Sequence, residues 1–92
     1  MVRSQADTAY GTTSAVRDAK RIERLRRSQH GVRPEELRAV LESAGFTLVR
    51  TKGSHHIFSH PRQRRLLVVP YRRPLLPVYV RKALEAIDEL AD

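Results

Sequence analysis

The spacing of apolar residues predicts two amphipathic helices on either side of a central stretch of strands. In the first helix the apolar residues recur at i, i+3, i+4 and i+7, as one buried face requires: Leu37, Val40, Leu41 and Ala44. Pro34 favours the start of this helix, because a first-turn residue needs no amide hydrogen, and Gly45 favours its end. Pro77 starts the second helix, whose apolar face consists of Val80, Ala83, Leu84, Ile87 and Leu90.

Three short segments between these helices have the composition of β-strands: 46–51 (FTLVRT), 55–60 (HHIFSH) and 65–69 (RLLVV). Turn residues separate them at 52–54 and 61–64. Strands connected this closely pair antiparallel, because a parallel return needs about a dozen or more connecting residues. Residues 32–92 are therefore predicted to form an α+β domain, in which a helix, a three-stranded antiparallel sheet and a second helix follow in order.

A further helix is predicted ahead of this domain, over residues 14–31. Its apolar stripe is thin, consisting of Ala15, Ala19, Ile22 and Leu25, and its other faces are basic. So little apolar surface predicts weak docking on the domain unless a partner helps. Residues 1–13 are polar with little periodicity, which predicts a disordered tail.

The third strand is apolar on both sides. Leu66 and Val68 point one way and Leu67 and Val69 the other, since side chains alternate along a strand. Two helices cover only one face of a three-stranded sheet. We therefore expect the second face to be covered in part by the N-terminal helix, by a second copy in a homodimer, or by a partner protein.

Composition excludes several classes of protein. The chain has no cysteine, which excludes disulfides, thiolate catalysis and cysteine-based zinc sites. It has no run of about 18 apolar residues, so no transmembrane helix is expected. The polar N-terminus does not resemble a secretory signal. We therefore expect a cytoplasmic protein that does not contact a membrane.

The charge distribution points to a polyanionic partner. The net charge is +8, and 15 of the 18 basic residues are arginine, which binds phosphate with two hydrogen bonds. Residues 47–83 contain nine basic residues and no acidic one. A segment of this length without a carboxylate holds a positive potential that a nucleic acid feels. The alternative is a solvated basic face that has no partner.

Three of the four histidines lie in the second predicted strand: His55, His56 and His60. His56 and His60 share a face but are about 13 Å apart, and His55 points to the opposite face, so no metal chelate is expected. Histidine instead suits acid–base catalysis, such as taking a proton from a ribose 2′-hydroxyl. The alternative is that these are half-exposed strand histidines without a role.

The strongest pattern is GSHHIF at 53–58, followed by His60-Pro61, a basic turn and Val68-Val69-Pro70. Together with the helices on both sides, this order resembles the HicA toxin family, also called YcfA-like mRNA interferases, over roughly residues 20–91. The resemblance implies a double-stranded-RNA-binding-domain-like α-β-β-β-α fold. It also implies the toxin of a type II toxin–antitoxin pair, which cleaves mRNA without a metal or other cofactor and is neutralised by a HicB-like antitoxin.

The resemblance also implies a single catalytic histidine on the second strand. Its position in the motif corresponds to His56, with His55 as the alternative. Because neighbouring side chains alternate, only one of the two faces away from the core, and with His56 as the catalytic residue we expect His55 on the core side. Many members of the family carry a further histidine after the third-strand proline, where this chain has Tyr71-Arg72. If that histidine takes part in catalysis, a non-catalytic RNA-binding or partner-binding module is the alternative function.

RNA-binding residues are expected at the end of the sheet that carries the motif and on the last helix. Basic side chains there would track the phosphates, Gly53 and Ser54 would let a phosphate approach the backbone, and an aromatic ring would stack on a base or pack at the rim. The complete set is Lys52, Gly53, Ser54, Arg65, Tyr71, Arg72, Arg73 and Lys82.

Overall fold

The structure, a computed structural model, describes residues 4–91 and, within them, side-chain environments from residue 16 onward. It contains α1 (Ser4–Arg27), α2 (Pro34–Ser43), β1 (Thr47–Lys52), β2 (His55–His60), β3 (Gln63–Pro70) and α3 (Pro77–Glu89). The three strands form one antiparallel sheet in the order β1-β2-β3. This confirms the predicted α+β fold of the double-stranded-RNA-binding-domain type, with an additional helix in front.

Helices α2 and α3 begin and end where local chemistry directs. Each begins with proline in its first turn, and Glu35 and Glu36 in the first turn of α2 suit the positive end of the helix dipole. Gly45 follows α2 with φ of +99°, a left-handed conformation that glycine adopts without steric cost. The chain therefore turns sharply from α2 into β1.

The core lies between the sheet and the two helices α2 and α3. Phe58 on β2 and Val69 on β3 are fully buried there, against Leu37 and Leu41 of α2 and Val80 of α3. Residues two apart on a strand share a face, so this face of β2 also carries His56 and His60. The helix-covered face thus includes two of the three strand histidines.

The opposite face of the sheet is largely exposed, and only Ile57 at its centre is buried. We call it the open face: Val49, Arg50, Lys52, His55, Ile57, Leu66, Val68 and Pro70. Cross-strand pairing places Arg50, Ile57 and Val68 side by side, and Lys52, His55 and Pro70 likewise. Val49, Leu66 and Val68 keep 51%, 55% and 42% of their surface exposed. The N-terminal helix, which the sequence offered as one cover for this face, therefore does not cover it.

Helix α1 packs on α2 and α3 instead. Leu25 is buried and Ile22 packs beside it against the core, while two ion pairs fix the helix at its sides. Arg26 binds Asp88 of α3 through contacts of 2.6 and 3.1 Å, and Arg24 binds Glu36 of α2. These pairs supply docking contacts that the thin apolar stripe alone did not predict.

Helix α1 begins at Ser4, earlier than the predicted helix over 14–31, and ends at Arg27. Nothing between these residues stops a helix, since the segment has no proline and one glycine, Gly11. The predicted tail over 1–13 overlaps this helix from Ser4 onward, and residues 1–3 lie outside the described residues. None of the described helices is both long and apolar enough to cross a membrane.

Candidate functional site

The motif residues converge at one end of the sheet, where β2 begins and β3 ends. Lys52 and Pro70 pair with His55 from either side, and the Tyr71 amide donates a hydrogen bond of 2.7 Å to the Ser54 carbonyl. Gly53 makes the β1–β2 turn with φ of +61° and open space around it. We call this end of the sheet, residues 52–56 and 70–72, the histidine corner.

His56 is half-buried at the rim of the core, and its imidazole ring is held on two sides. The ring of Tyr71 stacks on it with 3.4 Å between centroids and 16° between planes. Its Nδ1 lies 3.4 Å from the Ser54 carbonyl oxygen. With the proton on Nδ1, the ring donates a hydrogen bond to that carbonyl. The lone pair of Nε2 is then free to accept a proton. The corner thus holds the ring in one orientation, with Nδ1 toward a carbonyl that favours the tautomer a general base needs.

Tyr71 is in turn fixed by the start of α2. Its hydroxyl donates to the Pro34 carbonyl at 3.4 Å, and burial of the ring raises the pKa of this phenol. A tyrosine held in this way restricts the movement of the His56 ring. The ring packs at the rim of the core, as one of the two alternatives for Tyr71 predicted, and base stacking, the other, stays a prediction.

His55 is the exposed histidine of the pair, on the open face beside Lys52. The expectation that His55 lies on the core side is therefore wrong. Phe58 explains the orientation: it is the largest apolar side chain of β2 and must face the helices, so His56, two residues away, shares its face. The alternation alone could have revealed this.

His60 has a structural role that the sequence did not predict. Its Nε2 lies 3.0 Å from the Ala44 carbonyl, its Nδ1 accepts the Arg62 amide at 3.0 Å, and Phe46 meets its ring edge-on at 4.9 Å. The ring therefore ties the end of α2 to the β2–β3 turn. It lies at the far end of β2 from the histidine corner.

Four of the five candidate cations fall into two groups. Lys52 and Arg72 are exposed at the histidine corner. Arg65 and Lys82 line a groove between β3 and α3 together with His55, and the Lys82 ammonium lies 5.8 Å from the centre of the Tyr79 ring. The groove runs along β3 from His55 at the histidine corner to Arg65, which lies near the far end of β2.

Arg73 lies in a second groove, away from the sheet. It forms a two-contact ion pair with Glu35, one contact being 3.1 Å, and this pair lowers the pKa of the Glu35 carboxyl. We call this groove, lined by Arg21, Arg24, Arg33, Glu35, Glu36, Ala39 and Arg73, the arginine groove. The sequence did not connect these residues, because Glu35 and Arg73 are far apart in the chain.

Among the side chains described, those of residues 16–91, no three histidine or acidic groups cluster as a metal site would require. Comparisons with curated proteins and with solved structures found no match. A family described as "HicA toxin of bacterial toxin-antitoxin" matches residues 34–88, from the start of α2 almost to the end of α3. The match covers more than half of the chain and includes the whole histidine corner. This chain belongs to the HicA toxin family, the toxins of bacterial toxin–antitoxin systems.

Proposed function

We propose that this toxin is a metal-independent endoribonuclease that cleaves mRNA at the histidine corner and so arrests translation. The observation that carries the proposal is the fixed ring of His56, which is stacked on Tyr71 with Nδ1 turned toward the Ser54 carbonyl. Both ring nitrogens of the structural His60 bond to the backbone, whereas among the described residues only Nδ1 of His56 has a partner, which leaves its Nε2 for a substrate. A nuclease needs such a nitrogen within reach of a ribose hydroxyl.

The reaction that suits these residues uses the RNA's own nucleophile. The Nε2 of His56 takes the proton of a 2′-hydroxyl, and the 2′-oxygen attacks the adjacent phosphorus. The bond from phosphorus to the 5′-oxygen breaks, this oxygen takes up a proton from water as it leaves, and the protonated His56 then returns its proton to solvent. The products are a 2′,3′-cyclic phosphate and a 5′-hydroxyl end. Neither a metal nor an external nucleophile is needed for this balance.

Charge at the corner supports binding of the phosphate during this step. Lys52 and Arg72 are exposed beside the histidine pair, and Gly53 leaves open space at the turn. Arg72 occupies the place where many family members have a second histidine, and it keeps its positive charge at any pH at which the protein is folded. We assign it to phosphate binding and Ser54 to the alignment of His56.

His55 is the alternative catalytic residue. It is exposed on the open face, close to Lys52 and to the groove that contains Arg65 and Lys82. Its exposure favours contact with RNA, whereas His56 has the better defined orientation. We therefore assign proton abstraction to His56, and substitution of each histidine separately tests the assignment.

The open face supports a proposal for the antitoxin. Leu66 and Val68 offer exposed apolar contacts, and Arg50 and Lys52 beside them are basic. A HicB-like antitoxin with acidic and apolar residues complements this surface, and charge attraction would speed association. Bound there, it would cover His55 and Lys52 directly. A homodimer through this face is the less favoured arrangement, since each copy carries a net charge of +8.

The chemistry of the products tests the proposed reaction. The full-length toxin, freed from its antitoxin, is incubated with RNA and with the same oligonucleotide carrying 2′-O-methyl groups. In a cytoplasm-like buffer with EDTA, we expect cleavage of the unmodified RNA only, with a cyclic phosphate at the new 3′ end. Binding of both oligonucleotides without cleavage of either would instead identify a non-catalytic RNA-binding module.

A further inference from the structure

Helix α1 carries a continuous basic stripe outside the region matched by the family. An α-helix advances about 100° per residue, and five basic residues of α1 fall within a sector of about 120°. They are Arg17, Lys20, Arg21, Arg24 and Arg27. None of them is buried, and no acidic residue between Val16 and Arg27 falls within the sector. The apolar residues that dock α1, Ile22 and Leu25, lie on another side of the helix, while Arg24 of the stripe also pairs with Glu36 of α2.

The stripe opens into the arginine groove. Arg21 and Arg24 line this groove on the α1 side, and Arg33 and Arg73 line it on the other. The two carboxylates in the groove are both engaged, Glu36 by Arg24 and Glu35 by Arg73. Ion pairing thus neutralises the acidic residues there and leaves a net positive surface.

The groove borders the histidine corner through a short series of contacts. Arg73 is two residues from Tyr71, which stacks on His56. The Tyr71 hydroxyl bonds to the carbonyl of Pro34, which directly follows Arg33. The stripe, the groove and the corner therefore form one basic path across α1, the start of α2 and the end of β3.

The composition of the stripe suits phosphates better than a protein surface. Protein interfaces use arginine too, but they depend on buried aromatic and apolar anchors. The stripe has no apolar residue; Val16, the one exposed large apolar residue between residues 16 and 27, lies beside it. Arginines spaced along a helix match a row of phosphates, each of which accepts two hydrogen bonds from a guanidinium.

We propose that α1 is a second RNA-binding element, which holds the backbone of the same RNA strand that enters the histidine corner. This inference rests on the proposed function, because it assumes that RNA is the substrate. It predicts that α1 contributes to affinity only when the RNA is long enough to extend from the corner across the arginine groove.

The test compares two double variants of the full-length toxin that each remove two positive charges. Arg17→Ala with Lys20→Ala removes charge from the stripe. Arg62→Ala with Arg64→Ala removes it from the β2–β3 turn and the start of β3, at the opposite end of the sheet from the histidine corner. Affinity is measured by fluorescence anisotropy with 2′-O-methyl RNA of about 4 and about 16 nucleotides, which bracket common site sizes. This probe binds without being cut.

We expect the stripe variant to bind the long RNA about tenfold more weakly than the unmodified toxin does. Its affinity for the short RNA should equal that of the unmodified toxin. Its plot of log affinity against log salt should lose about 1.4 in slope, or 0.7 for each lost phosphate contact on a single strand. The turn variant should lose less on both counts. Circular dichroism of each variant checks that the helix content is unchanged.

Equal losses in the two variants, or an equal loss on the short RNA, would overturn the inference, since the effect would then be one of net charge. Unchanged RNA binding together with weaker antitoxin binding would also overturn the inference, since α1 would then be part of the antitoxin interface. If the unmodified toxin binds the long RNA through the stripe but cuts no RNA, the proposed catalysis fails while the role of α1 stands. If it binds neither RNA, both fail.

Discussion

Replacement of Gly45 by alanine gives a quantitative test of how α2 is joined to the sheet. Gly45 has φ of +99°, where a residue with a Cβ is strained by about 1–2 kcal/mol. The added Cβ would also lie 2.8 Å from the Nε2 of His60, which is too close for either atom to stay in place. His60 would have to move away from the Ala44 carbonyl, which now lies 3.0 Å from it.

The two effects add to a large fraction of the stability of a small domain. Loss of the hydrogen bond costs about 1 kcal/mol, so Gly45→Ala should lower the free energy of unfolding by about 2–3 kcal/mol. For a chain of this size each kcal/mol lowers Tm by about 4–8 °C. Urea denaturation followed by circular dichroism measures the first quantity, and a thermal scan the second.

Gly31 provides the matched control. Its φ of +69° carries the same kind of backbone strain, but an added Cβ would have no atom within 4 Å. Gly31→Ala should therefore cost only the strain, about 1–2 kcal/mol. Equal losses for the two alanine variants would refute the proposed contact with His60. So would an unchanged cost of Gly45→Ala in a His60→Ala background, where the clash no longer exists.

Three further predictions concern the corner, the docking of α1 and the open face. Tyr71→Ala should slow RNA cleavage by about 10- to 100-fold, because the His56 ring is no longer held in place. Tyr71→Phe keeps the stacked ring and should cleave at the rate of the unmodified toxin, which a cleavage time course measures. The ion pair with Arg26 lowers the pKa of Asp88 in the folded chain. The pair should therefore stabilise the fold above the ordinary carboxyl pKa of about 4, and this stabilisation should disappear as the pH falls through the lowered pKa. Asp88→Asn should remove this part of the acid dependence in denaturation curves measured across that range. Val68→Asp should weaken antitoxin binding at least tenfold by calorimetry, while Val78→Asp, an equally exposed position on α3, should not.

The elements that the sequence predicted correctly are those with local causes. Prolines at 34 and 77 and the glycine at 45 mark helix ends through their own backbone properties. The strand β2 matches its predicted bounds, and β1 and β3 differ by one or two residues at their ends. Short turns then determine the antiparallel order, because no other topology connects strands so closely.

The features that the sequence missed depend on contacts between distant segments. Glu35 meets Arg73, Arg26 meets Asp88 and His60 meets the end of α2, and no local pattern marks these pairs. The orientation of the histidine pair is different, since the position of Phe58 two residues after His56 predicts which of them faces the helices. Phe58 therefore indicates that His55 faces outward, which the motif alone does not.

Cleavage of RNA by the His56→Ala variant tests the central claim most directly. The full-length toxin and its variants are mixed in excess with a labelled RNA in the presence of EDTA, and the single-turnover rate is measured beside binding to 2′-O-methyl RNA. We predict a rate reduced by about 10²–10⁴-fold with binding unchanged for His56→Ala, and a rate much closer to that of the unmodified toxin for His55→Ala. Loss of activity in His55→Ala alone would transfer the catalytic role to His55. Full activity in both variants, or a reaction abolished by EDTA, would contradict the histidine mechanism.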